Sequence, residues 1–108
     1  MKYRILLNRT QDSEGRPIGF FGYNPGHKME EVYVGEYLTD EMQPVESILE
    51  ELLGIFNTDH PADYRNRSLS VGDVVILEPR PGFYRGFALE SFGFEEILPE
   101  IEVQQKAA

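Results

Sequence analysis

Val45-Glu-Ser-Ile-Leu-Glu-Glu-Leu-Leu-Gly-Ile-Phe56 is the stretch that decides the fold. Val45, Ile48, Leu49, Leu52, Leu53 and Phe56 recur at i, i+3, i+4, i+7, i+8 and i+11, which aligns them in one stripe along an α-helix. Glu46, Glu50 and Glu51 fall off that stripe. Pro44 suits a first helical turn, where a missing N–H costs nothing, and the early glutamates complement the positive end of the helix dipole. The spacing predicts an amphipathic helix over 44–57 that must bury one face against another layer.

The flanking sequence supplies that layer. Upstream, residues 31–38 alternate, with Val32, Val34 and Glu36 opposite Tyr33 and Tyr37, and residues 2–9 place Tyr3, Ile5 and Leu7 on one side of a strand. Between them, residues 10–26 are rich in Gly, Pro, Asn and Asp and read as a long connection. Its aromatics Phe20, Phe21 and Tyr23 argue that part of it packs down. Downstream, Gly72-Asp73 turns the chain into the β-prone run Val74–Leu77. Pro79, Pro81 and Gly82 then make a turn into 83–89, where Phe83, Arg85, Phe87 and Leu89 share a face, a hairpin pattern. Residues 91–97 read as a last turn or short strand, and 99–108 as a frayed polar tail. The expected fold is α+β: a small, mostly antiparallel sheet of about four strands with one central amphipathic helix on one face, a single domain over 1–98. So small a sheet leaves an edge or a face open, which makes a homodimer an expectation as well.

The run Pro61-Ala-Asp-Tyr-Arg-Asn-Arg-Ser-Leu-Ser-Val-Gly-Asp-Val-Val75, followed by an aromatic strand and Ser91-Phe-Gly-Phe-Glu-Glu-Ile97, resembles the YodL-like family. The resemblance is strongest over 61–97, and the earlier strands and helix fit the same order. It implies a small bacterial domain of uncharacterised activity, often carried on mobile elements, and transfers no catalytic or binding residue. Arg80–Gly86 departs from the family pattern, with Pro81, preceded by Pro79, and Phe83 where a short polar turn before tyrosines is more usual.

Composition narrows the classes of function. The chain has no cysteine, which excludes a disulfide framework and thiolate chemistry. No run approaches the roughly 20 apolar residues of a membrane helix, and no signal-peptide core is visible. A cytoplasmic protein is the expectation. The formal charge is −9, and between Lys28 and Arg65 ten carboxylates stand without a single Lys or Arg. Nucleic-acid binding runs on phosphate neutralisation by cations, so it is disfavoured, and a protein partner is favoured.

Candidate chemistry is sparse. His60, between Asp59 and Asp63, offers too few nitrogen ligands for a transition metal, and no cofactor motif is present. Ser68, Ser70 and Ser91 lack a nucleophile-elbow context, and Gly15–Gly19 lacks the Lys-Ser/Thr ending of a phosphate loop. Tyr64, Arg65 and Arg67 form a compact basic–aromatic group that can take a phosphate or carboxylate; with loop residues Phe21 and Tyr23 they make the candidate ligand-facing set. Glu46, Glu50 and Glu51 make the candidate acidic surface. The expected function is a non-enzymatic protein-interaction or regulatory module. The alternatives are a small-ligand binder with a pocket between the helix and the hairpin, lined by Tyr and Phe, and, second, a small enzyme of unknown reaction.

Overall fold

The computed structural model describes residues 1–39 and 42–97, and the backbone of 103–104. Helix α1 (Val45–Thr58) forms where the apolar stripe lies. Pro44 sits just outside it as the N-cap, and its carbonyl accepts from Ser47 N and Ile48 N at 3.1 and 3.2 Å. At the other end, Asn57 exchanges two hydrogen bonds with the backbone of Leu69, which ties the helix to the chain entering the next strand.

Among the described residues five antiparallel strands make the sheet, one more than the sequence predicts. They are β1 (Lys2–Asn8), β2 (Met29–Glu36), β3 (Val74–Arg80), β4 (Phe83–Glu90) and β5 (Gly93–Ile97). A two-residue β6 (Val103–Gln104) pairs in parallel with β2, giving the order β5-β4-β3-β1-β2-β6. The extra antiparallel strand is 93–97, which the sequence leaves open between a turn and a strand. The expected tail 99–108 lies outside the described residues, apart from β6.

Helix α1 lies on one face of the sheet. Ile48, Leu49, Leu52 and Phe56 are buried there against Tyr3, Ile5 and Leu7 of β1, Val75 and Leu77 of β3, and Phe87 and Leu89 of β4. Each such side chain contributes about 1.5–3 kcal/mol through transfer from water. Tyr3, Tyr33, Phe56 and Tyr64 meet mainly edge to face at one end of this core, with Phe56 and Tyr64 centroids 4.9 Å apart. Along β2 strict alternation fails. The register with β1 shifts between Ile5 and Leu6, pairing them with Tyr33 and Glu31, so Val32 bulges and packs with Tyr33 against the helix-side core.

The opposite face is apolar too. Leu6, Met29, Val74 and Ala88 are fully buried there, with Tyr23 and Ile97 packed against them. Segment 9–28 supplies that Tyr23, and its two ends are stitched together by Arg9 N to Lys28 O at 2.7 Å and Lys28 N to Thr10 Oγ1 at 2.8 Å. Among the described residues no helix is long and apolar enough to cross a membrane.

Candidate functional site

Two places gather chemistry. The first is a knot around Asp73, a carboxylate only 1% exposed. Its Oδ1 accepts from Asn8 N at 2.8 Å and Arg67 Nη2 at 2.9 Å, and its Oδ2 from Arg67 Nη1 at 2.6 Å and Ser70 N at 2.7 Å. A buried charge is tolerated only when paired and fully hydrogen-bonded, and these donors meet that condition. The carboxylate in turn holds the Arg67 guanidinium protonated even more firmly than usual. The turn before Asp73 needs glycine twice over. Gly72 has φ +95°, and a Cβ there would lie 1.8 Å from the carbonyl oxygen of Gly19. Asn8 completes the knot by donating to Gly72 O at 3.1 Å and bonding His27 Nδ1 at 2.9 Å.

The candidate ligand-facing residues are dispersed around this knot. Tyr64 is a core residue, 5% exposed, donating to Arg67 O at 2.6 Å, and burial pushes its phenol above the ordinary range. Arg65 turns back to Ala62 O at 2.6 Å. Phe21 stands exposed on the 3-10 turn Gly19–Phe21, its ring 4.3 Å from that of Phe20, whereas Tyr23 packs under the sheet. Of the set, only Arg67 borders a cavity of about 290 Å³, which it shares with Arg9, Thr10, Phe20 and Ser70. Both arginines there are committed to neighbours, Arg67 to Asp73 and Arg9 to Glu30 and Asn66. His60 stacks edge-on to Tyr64, and among the described residues no three His, Asp or Glu converge to hold a metal.

The second place is a groove of about 310 Å³ between the first half of α1 and the β4–β5 hairpin. Val45 and Leu49 form one apolar wall and Phe87, Phe92 and Phe94 the other, while Glu46, Glu50, Glu96 and Arg85 ring it. Glu46 and Glu50 share a helix face because they are four residues apart. Glu51 points to the other flank, where Gln43 donates to it at 2.9 Å. Arg85 and Glu96 form a bidentate pair at 2.9 and 2.8 Å, which lowers the Glu96 pKa below its ordinary value. Phe92 is 80% exposed at the mouth. The groove is therefore an apolar trough with surplus negative charge, three carboxylates to one guanidinium.

The acidic middle of the sequence does not gather on one surface. Glu30 pairs with Arg9 and Glu31 with Arg4, on β2, and Asp63 accepts from Tyr33. Asp40 and Glu41 lie outside the described residues. Only Glu46 and Glu50 of the acidic helix residues reach the groove. Sequence reasoning missed Phe92, Phe94, Arg85 and Glu96 as groove residues; the one available signal was an aromatic–acidic strand next to an acidic helix.

The family model of the YodL-like domain matches residues 11–100, spanning α1, the Asp73 knot and the β3–β4–β5 meander. The chain belongs to the YodL-like family. Comparison with curated proteins and with solved structures gives no match. The match extends the resemblance read over 61–97 to most of the chain. Within this YodL-like domain it takes in every residue of the groove and, of the Asp73 knot, all but Asn8.

Proposed function

We propose that this YodL-like domain is a non-enzymatic protein-interaction module whose α1/β4–β5 groove receives a positively charged segment of a partner protein. The observation that carries the reading is Phe92, a large apolar side chain left 80% exposed beside a trough rimmed by Glu46, Glu50 and the Arg85–Glu96 pair. Isolated exposed apolar groups are ordinary, but one continuous with an apolar trough marks a contact surface. The carboxylates select cations and speed encounter with them. A folded acidic surface of this kind also repels nucleic acid.

The test is isothermal titration of the intact chain with a twelve-residue peptide of alternating Lys and Val, and with its Glu/Val counterpart. The Lys/Val peptide binds at low ionic strength, weakens as salt screens the rim, and loses binding to the Glu46→Lys/Glu50→Lys variant. Equal binding of the Glu/Val peptide, or indifference to the double substitution, refutes the assignment.

The groove volume also falls at the lower limit of small-molecule pockets, which supports a second reading, a binder of small apolar cations. A thermal-shift series with aromatic amines separates the two. A ligand at 100 times its Kd adds about 2.7 kcal/mol of stability, and a flat series leaves the peptide reading alone.

A further inference from the structure

We infer that the partner segment docks as an extra β-strand on the outer edge of β5, with alternate side chains entering the groove; this rests on the groove being the docking surface. Among the described residues β5 pairs only with β4, so it ends the sheet on that side. In an antiparallel ladder successive residues turn their N–H and C=O to opposite sides. Every second residue of Gly93–Ile97 therefore directs both groups outward, a template for a strand.

The side chains of β5 match that template to the groove. Phe94 pairs with Leu89 and Glu96 with Phe87, on the helix side, while Glu95 and Ile97 face the opposite side with Ala88 and Gly86. A strand laid about 4.8 Å beyond β5 aims alternate side chains at the mouth formed by Phe92, Val45, Glu46 and Glu50. The trough is too small for a folded element and suits a few side chains from an extended chain.

Charge decides the occupant. A second copy pairing β5 with β5 would bring the Glu95 carboxylates of both copies onto adjacent strands, with Glu96 already held by Arg85, and like charges facing each other destabilise a sheet. A lysine- or arginine-bearing segment with apolar residues at alternate positions turns Glu95 into a cross-strand attraction instead. The occupant is thus a basic, extended segment of another protein.

The experiment uses the intact chain and the Lys/Val peptide in two N-methylated forms, one methylated at the Lys nitrogens and one at the Val nitrogens. Strand addition uses only every second peptide N–H, so one form loses at least thirtyfold in affinity while the other stays within about threefold. Amide exchange of residues 93–97 slows in the complex. Equal loss in both forms, or unprotected β5 amides with the peptide bound, overturns strand addition while leaving the groove reading in place. No binding of the unmethylated peptide at all defeats the groove reading itself. A chain that sediments as a dimer with β5 protected and without affinity for the peptide assigns the edge to a second copy, which also overturns the inference.

Discussion

Replacing Gly72 by alanine tests the central packing claim, that segment 9–28 is pressed onto the sheet by a backbone contact between Gly19 and Gly72. Two costs add at this site. The first is conformational, since φ is +95° and an L side chain there is strained by roughly 1–2 kcal/mol. The second is steric. The new Cβ would sit 1.8 Å from Gly19 O, so the 3-10 turn must retreat by about 1.6 Å to reach ordinary contact at 3.4 Å. Overpacking of that kind typically costs about 1–3 kcal/mol. Gly19 has no slack to give, because it already abuts the Asn8 side chain that bonds Gly72 O and His27. The expected loss is about 3–4 kcal/mol. Gly82→Ala is the internal control: its φ of +86° imposes the conformational cost, yet nothing lies within 4 Å of the added Cβ. Urea unfolding followed by far-UV circular dichroism and tyrosine fluorescence gives both values. Gly72→Ala should exceed Gly82→Ala by about 2 kcal/mol, with amide exchange at Leu6 and Met29 accelerated as the cover lifts. Equal losses for the two variants refute the idea that this contact seals the second face.

Asp73→Asn keeps the shape but removes the charge and turns one acceptor oxygen into a donor facing Arg67, Ser70 and Asn8. Chemical denaturation should show a loss of about 3 kcal/mol, and a loss under 1 kcal/mol would show that the knot is not a stabilising centre. Leu52→Ala, at a position with no exposure, should cost about 2–5 kcal/mol by thermal melting, with Glu50→Ala on the solvent side of the same helix close to neutral. Tyr3 is pushed from 10.0 up to about 12, first by burial and then by the neighbouring Tyr33 and the Asp63 carboxylate. Its contribution is fully present below pH 10 and is lost as pH rises through 12, when the unfolded chain ionises first. Stability should therefore fall by up to about 2.7 kcal/mol across that window. The decline should be shallower in Tyr3→Phe, and an unchanged slope in that variant counts against the assignment.

How much of this the sequence discloses depends on whether the determining contact is local. The helix is fully legible, because its stripe is a matter of spacing within twelve residues. The β3–β4 hairpin is legible for the same reason. The bulge at Val32 is not, since one residue shifted between two strands leaves the alternation of either strand looking regular on paper. The second buried face left a signal in the adjacent Leu6-Leu7 pair and the unbroken Val74–Leu77 run, since strands covered on both faces carry apolar residues without alternation. That part of segment 9–28 packs down was legible in its aromatics, though Tyr23 does so and Phe20 and Phe21 stay exposed; that it covers this face, with Gly19 meeting Gly72, was not. Arg67 shows the same limit. Its basic–aromatic neighbourhood suggests a ligand, while its partner Asp73 stands six residues away across a turn whose shape depends on Gly72. A pocket between the helix and the hairpin was legible, but its β5 wall was not, because α1 and β5 lie some forty residues apart and become neighbours only through the sheet order.

That sheet order has a consequence for synthesis. Of the strands of this sheet β1 leaves the ribosome before the others, yet it lies in the interior, between β2 and β3. Its β3 partner, with the apolar run Val74–Leu77, follows more than sixty residues later, a delay on the order of several seconds at ordinary translation rates. For that interval Ile5, Leu6 and Leu7 have no completed sheet around them. The segment emerging meanwhile is the one with ten carboxylates and no lysine or arginine between Lys28 and Arg65. Like charges along that segment disfavour close contact between two unfinished chains, within the roughly 8 Å over which salt leaves them unscreened. The acidity so conspicuous in the sequence is thus in place before the sheet around β1 is complete, where charge flanking an apolar strand opposes aggregation.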